Sequence, residues 1–160
     1  MLKRSKTDDE IDLAAVDPGA GAVLVLNDDR DACELIARLV ESAGWPVERA
    51  YVVDEVLGEI TRGSYAAVIV DSMSIGITAA FRVLDEIRKS GPETRNVAVV
   101  ILAATDTNRL FAFQSGVDGY VVRPVHADEL LDVVRMVLTR TTDERVEFRR
   151  AQLMGGATTA

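Results

Sequence analysis

Short runs of apolar residues alternate with amphipathic stretches from Ala22 to about residue 140. The apolar runs predict five strands, at Ala22–Asn27, Val47–Val53, Ala67–Asp71, Val97–Ala103 and Gly119–Val122. The amphipathic stretches have apolar residues at helical spacing, and they predict helices at about 31–43, 54–62, 78–90, 107–115 and 127–140. Strands made almost entirely of Val, Ile, Leu and Ala are typical of a parallel sheet covered by helices on both faces. The pattern therefore predicts an α/β fold with one doubly wound, five-stranded parallel sheet.

The length of 160 residues suits one well-cored domain rather than two. Residues 22–140 are predicted to form that domain. Residues 1–21 are charged and then rich in Gly, Ala and Pro, which predicts a flexible leader. Residues 141–160 contain few apolar positions, and either a mobile tail or an extension of the last helix is expected there.

Composition and charge argue against several kinds of partner and environment. The net charge of −8 argues against a protein that binds nucleic acid through its phosphate backbone. Cys33 is the single cysteine, so no internal disulfide can form. No apolar run is long enough to span a bilayer, and the charged first ten residues lack the apolar core of a signal peptide. A cytoplasmic protein without a membrane partner is expected.

Polar residues stand at or just after the ends of three of the predicted strands. Asn27 and Asp28 end the first strand, Asp71 ends the third, and Arg123 follows the fifth. Ligands of open parallel sheets bind at the carboxyl ends of the strands. Acids with one cation at that edge are typical of a site for a divalent metal and a phosphoryl group. The alternative is that Asp28 and its neighbour only begin a helix, where acids suit the helix dipole.

Two runs carry a resemblance to a known family: Val23-Leu-Val-Leu-Asn27-Asp28-Asp29-Arg30-Asp31 and Gln114-Ser-Gly-Val-Asp-Gly-Tyr-Val-Val-Arg-Pro124. With Gly44 and Asp71, they resemble the receiver domain of bacterial two-component response regulators over residues 22–140. The resemblance implies a flavodoxin-like receiver fold with strand order 2-1-3-4-5. It implies a sensor histidine kinase or another signalling protein as partner, and Asp71 as the residue that accepts the phosphoryl group. It also implies a Mg²⁺ site at Asn27, Asp28, Asp71 and Met73.

Several positions depart from the family pattern. Asn27 replaces an acid, so Mg²⁺ is expected to bind weakly or not at all. Ala103 stands where the family has a Thr or Ser that contacts the phosphoryl group. Arg123 replaces a lysine; its larger planar group is able to pair with Asp71 without any phosphoryl group. Tyr120 matches the switch aromatic of the family, or it is simply a half-buried strand residue.

Two functional hypotheses follow from these departures. The preferred one is a stand-alone atypical receiver that signals through protein–protein contact, with weakened or absent phosphorylation switching. The alternative is a conventional receiver that accepts a phosphoryl group on Asp71 with Mg²⁺. Phe111 and Phe113 lie about 200° apart around their predicted helix. Either one of them faces outward, near a possible homodimer surface made by the fourth helix, fifth strand and fifth helix, or both are partly covered.

An enzyme is the less favoured reading. Asp29-Arg30-Asp31 superficially fits the Asp-x-Asp motif of haloacid-dehalogenase-type aspartyl phosphatases, but Ala32 and Cys33 follow it instead of a small residue and Thr. A flavodoxin-like enzyme would need a phosphate loop of Ser, Thr and Gly after the first strand. The acidic loop found there repels phosphate.

Overall fold

A computed structural model describes residues 21–62, 65–92 and 94–159. The strands are β1 Ala22–Leu26, β2 Val47–Ala50, β3 Tyr65–Asp71, β4 Ala98–Ala103 and β5 Gly119–Val122. The helices are α1 Arg30–Ser42, α2 Val53–Arg62, α3 Ser72–Ile75, α4 Ile77–Lys89, α5 Arg109–Gln114, α6 Ala127–Thr139 and α7 Thr142–Thr159. Apart from Gly21, the predicted leader lies outside the described residues.

The five strands form one parallel sheet in the order β2-β1-β3-β4-β5. This confirms the predicted sheet and its order. Because all strands run the same way, their carboxyl ends meet at one edge of the sheet. From β1 the chain adds β2 on one side and then β3, β4 and β5 on the other, so the strand order switches between β1 and β3. In the register, Leu26 lies beside Val70 and Asp71 lies beside Leu102. The ends of β1, β3 and β4 are therefore neighbours, which brings Asn27, Asp71 and Ala103 to the same edge of the sheet.

Alternate strand residues point to opposite faces, and two apolar cores result. One core joins Leu24, Val68 and Ile101 to the buried sides of α2, α4 and α5. The other joins Val25 and Ile69 to the buried sides of α1 and α6. Both faces of the sheet are covered, which explains why β1, β3 and β4 consist almost entirely of apolar residues.

The structure differs from the predicted elements at three places. β2 ends at Ala50, and the apolar residue Val53 begins α2. A short helix, α3, follows Asp71 directly, where a loop was expected. The last segment is a separate helix rather than a tail or a continuation of α6, because Arg140 between them has extended backbone.

A capping box starts the last helix, α7. Thr141 Oγ1 accepts the backbone N–H of Glu144 at 3.1 Å, and Glu144 Oε1 accepts the backbone N–H of Thr141 at 2.8 Å. This reciprocal pair satisfies two N–H groups at the helix start. Among the described residues, no helix is both long and apolar enough to cross a membrane.

Candidate phosphoacceptor site

Asp71 is held at the carboxyl end of β3 with 2% of its surface exposed. The next residues turn into α3, and Asp71 caps that helix. Its Oδ1 accepts the backbone N–H of Met73 at 3.0 Å. One carboxylate oxygen is therefore engaged by the main chain that follows it.

Asn27, fully buried at the end of β1, contacts the other carboxylate oxygen. Its Nδ2 donates to Asp71 Oδ2 at 2.8 Å, and its Oδ1 accepts the backbone N–H of Asp29 at 2.9 Å. Both bonds require the same orientation of the amide, since only the nitrogen can donate and only the oxygen can accept. Asn27 therefore turns its N–H toward Asp71 and its carbonyl oxygen away from it.

Arg123 adds a charge to the same oxygen. Its guanidinium Nη2 forms a hydrogen-bonded ion pair with Asp71 Oδ2. The backbone N–H of Arg123 donates to Ala103 O at 2.9 Å, which ties the end of β5 to the end of β4. The Arg123 side chain is 29% exposed, whereas that of Asp71 is almost completely shielded from solvent. The ion pair and its hydrogen bond therefore hold the buried Asp71 side chain in place.

The residues expected to hold Mg²⁺ do not fit the ion as they are arranged. Mg²⁺ takes oxygen ligands, but Asn27 presents its amide nitrogen to Asp71, whose two oxygens are already bonded. Asp28 is exposed, and the Met73 side chain is 52% exposed. Across the described ranges, no group of three or more His, Cys, Asp or Glu side chains is placed to hold a metal ion.

Ala103 ends β4, the strand beside β3, and Tyr120 lies on the next strand, β5. Ala103 is 2% exposed and Tyr120 is 5% exposed, and both border a pocket that also contacts Ser72 and Thr105. The Tyr120 hydroxyl donates to the carbonyl oxygen of Thr105 at 3.0 Å. Burial raises the pKa of this hydroxyl, so it stays protonated as the donor. Tyr120 is thus more deeply buried than the half-buried residue that we considered as an alternative.

The hydroxyl groups near Ala103 are engaged elsewhere. Thr105 is exposed, and its Oγ1 donates to Thr107 Oγ1 at 3.1 Å. Ser72 is buried, and its Oγ donates to the carbonyl oxygen of Leu102 at 2.7 Å. Sequence analysis overlooked Ser72, although its position directly after a predicted site residue was the available signal.

The two phenylalanines of α5 face in different directions. Phe111 is 53% exposed and meets the ring of Phe81 edge to face, at 4.8 Å between ring centroids. Phe113 is 3% exposed and meets the ring of Phe148 in α7 at 5.9 Å. Of the two alternatives, the structure therefore has one ring outward and one inward.

A sheet of this order with a buried aspartate ending its third strand defines a receiver-type α/β domain. A family model described as the response regulator receiver domain matches residues 23–135, and the chain belongs to this family. Two-component signal transduction is therefore the setting of this chain.

Known relatives agree with this assignment. The transcriptional regulatory protein DltR of Streptococcus agalactiae is 30% identical over 114 residues, covering 71% of this chain and 50% of DltR. The response regulator MprA of Mycolicibacterium vanbaalenii is 30% identical over 124 residues, covering 76% of this chain and 52% of MprA. The chain spans about half the length of the curated relatives it matches.

Among solved structures, the response regulator protein TrrA from Thermotoga maritima, in complex with Mg²⁺ and BeF, has a TM-score of 0.64 and 28% identity. The match covers 74% of this chain and 99% of TrrA. The fold of this chain is therefore similar to that of TrrA.

Proposed function

We propose that this chain is an atypical receiver that signals through protein–protein contact, with phosphorylation switching weakened or absent. The observation that carries the proposal is the state of Asp71. Its carboxylate oxygens are bonded to the Asn27 amide, the Met73 backbone N–H and the Arg123 guanidinium. Both carboxylate oxygens of Asp71 are thus bonded to the chain's own groups.

Phosphoryl transfer needs an oxygen that is free to attack and positive charge on the transferring group. In this pocket the positive charge of Arg123 is already directed at Asp71 Oδ2. Attack by that oxygen requires the ion pair and the Asn27 hydrogen bond to break first, and charge-assisted bonds are the stronger kind. With one carboxylate fewer beside it, the site also attracts a divalent cation less strongly. Both effects lower the rate of phosphorylation.

The route from Asp71 to the protein surface is altered as well. Ala103 has no hydroxyl to contact a phosphoryl group, and Tyr120 is already buried and bonded to the Thr105 carbonyl. A ligand shifts a conformational equilibrium only by interacting differently with the two states. Without a hydroxyl at residue 103, a phosphoryl group has fewer differential contacts on this side of the pocket.

The partner that we propose is a sensor histidine kinase or another signalling protein. We also propose a homodimer through the part of the α5, β5 and α6 face that the last helix leaves open. Phe111 offers an exposed ring on α5. Replacing it, as Phe111→Asp, should change the sedimentation behaviour or the capture of a partner. Unchanged results in both assays would argue against this surface.

Acetyl phosphate tests the proposal. The full chain is incubated with acetyl phosphate and Mg²⁺ and its intact mass is recorded, with Asp71→Asn as control. We expect no phosphoryl adduct beyond that of the control. An adduct that disappears in Asp71→Asn would support the conventional receiver instead, because the mass gain would then lie on Asp71.

A further inference from the structure

The last helix, α7, lies over the groove between α5 and α6, at the edge strand β5. Phe148 of α7 borders a cavity that Phe113, Gly119 and Val133 also line. The Phe148 ring meets Phe113 from one side, and the Arg140 guanidinium lies 3.9 Å from its centre. α7 therefore covers a groove that would otherwise open to solvent.

An ion-pair cluster fastens this helix. Asp118, whose side chain is 1% exposed, lies just before β5. Arg149 Nη1 lies 2.7 Å from Asp118 Oδ1, and Arg145 Nη1 lies 3.2 Å from Oδ2. We call these three residues the Asp118 clasp. It joins two positions one helical turn apart on α7 to a single carboxylate.

Asp118 is also bonded to residues outside α7. Arg88 of α4 donates to Asp118 Oδ2 at 2.7 Å, and the backbone N–H of Val99 donates to the same oxygen at 2.9 Å. Arg88 also donates to the carbonyl oxygens of Gly116 and Val97. Asp118 and Arg88 therefore belong to the α/β body, and the carboxylate stays paired and hydrogen-bonded if α7 leaves.

Adding α7 brings two more positive charges to an already paired carboxylate. Burial lowers the pKa of the Arg88 guanidinium to about 10, and the charges of Arg149 and Arg145 lower it as well, while Asp118 raises it. The three cations repel one another, which offsets part of the attraction of each for Asp118. The clasp therefore holds α7 less firmly than two independent ion pairs would.

The apolar contacts of α7 are few. Among its side chains up to Gly155, Arg145 is the one that is buried, and Phe148 is partly buried. Leu153 is 41% exposed and Met154 is 72% exposed. Most helices in proteins are stabilised by packing an apolar face. The docking of α7 depends instead on the clasp, on one further hydrogen bond from Arg145 to a backbone carbonyl oxygen, and on one ring.

From these contacts we propose that the groove between α5 and α6 is a helix-binding site and that α7 is its releasable, intramolecular occupant. The groove recognises the pattern Arg145-x-x-Phe148-Arg149, with Asp118 receiving the arginines and Phe113 receiving the ring. Release of α7 uncovers the groove and leaves the sheet folded. This proposal does not depend on the chemistry of Asp71.

Hydrogen exchange of the full chain tests the clasp. The double variant Arg145→Ala/Arg149→Ala is compared with Arg150→Ala, which removes an arginine of α7 that pairs with exposed Glu147. We expect the amides of α7 to lose protection in the double variant only, and those of β1, β3 and β4 to keep it. Protection of α7 equal to that of the control would overturn the proposal.

Two further measurements test whether α7 is releasable and whether it binds within its own chain. If the double variant fails to fold, the salt dependence of the wild-type chain serves instead: added NaCl should speed exchange in α7 but not in the sheet. If NaCl speeded exchange equally in α7 and in the sheet, the proposal of a releasable helix would be contradicted. Sedimentation shows whether the occupant of the groove is α7 of the same chain or of a second copy. If the amides of α7 are protected from exchange only when the chain is a dimer, the groove belongs to a second copy and the intramolecular assignment is overturned.

Recognition in trans is tested with a labelled peptide of residues 142–155. It should bind the double variant more tightly than the wild-type chain, whose groove is filled. The same peptide with alanine at both clasp arginines should bind at least tenfold more weakly. Equal binding of the two peptides would show that Asp118 does not select the arginines and would overturn the proposed recognition.

Discussion

Asn27→Asp is the substitution that tests the geometry of the pocket most sharply. It replaces the amide nitrogen, 2.8 Å from Asp71 Oδ2, by a second carboxylate oxygen. Two charges about 3 Å apart at an effective dielectric constant of about 20 repel by about 5.5 kcal/mol. The lost hydrogen bond to a charged group adds about 1.5–3 kcal/mol.

Two effects limit that cost. Arg123 remains beside Asp71, and its charge offsets part of the repulsion. The introduced carboxyl can also take up a proton, which at pH 7 costs about 4 kcal/mol and sets an upper bound. We therefore expect a loss of about 2–4 kcal/mol in the free energy of unfolding. For a domain of this size, that loss corresponds to a fall in Tm of about 6–16 °C.

Mg²⁺ should return part of that stability. With a Kd of about 1 mM, about 10 mM Mg²⁺ stabilises the folded state by about 1.4 kcal/mol. The assay is thermal and urea unfolding of Asn27→Asp and of the wild-type chain, with and without Mg²⁺. Asn96→Asp is the control, because it adds the same charge at an exposed position just before β4.

The wild-type chain and the control should respond little to Mg²⁺, whereas Asn27→Asp should be destabilised and should recover in part. An Asn27→Asp chain as stable as the wild type and indifferent to Mg²⁺ would refute the contact between Asn27 and Asp71.

Three further predictions concern other residues. Ala103→Thr adds a hydroxyl beside an existing pocket, so it should change the unfolding free energy by less than about 1.5 kcal/mol. The same substitution should increase the change in the NMR signals of Tyr120 on addition of beryllofluoride and Mg²⁺. No increase would contradict the role given to residue 103. Phe113→Ala should cost about 3–5 kcal/mol, and Phe111→Ala about 1 kcal/mol, in urea unfolding; equal losses would contradict their different burial. Burial raises the pKa of the Cys33 thiol, so at pH 8 it should react with a disulfide reagent only on unfolding, and fast reaction of the folded chain would contradict its burial.

The fold was accessible from sequence because its strands are buried on both faces. Runs such as residues 67–70 are apolar at every position, so they contrast with the amphipathic helices between them. The end of β2 was misplaced because Val52 and Val53 extend its apolar character, although the chain there already turns into α2. Apolar content alone does not distinguish the end of a strand from the first turn of a helix.

The docked α7 could not be predicted from local patterns. Its capping residues were visible in the sequence, but the contact that orients it joins Arg145 to Asp118 in a different part of the chain. A pairing of this kind leaves no periodic signal. The contribution of Phe148 depends in the same way on a ring of another helix.

The residue types of the candidate site were predictable, and its arrangement was only partly so. The ends of strands located Asn27, Asp71 and Arg123, and pairing between Arg123 and Asp71 was anticipated from the length and charge of the side chain. The direction of the Asn27 amide was not, because it depends on the backbone N–H of Asp29. That direction decides whether a metal ion meets an oxygen or a nitrogen.

The central claim is that Asp71 is held by the chain's own groups and is uncoupled from Tyr120. NMR spectra of the full chain, recorded before and after addition of Mg²⁺ and beryllofluoride, test it most directly. The account predicts that the amide signals of Tyr120 and α5 keep their positions, with changes at most beside Asp71. Changes that extend from Asp71 through β4 to Tyr120 and α5 would contradict it.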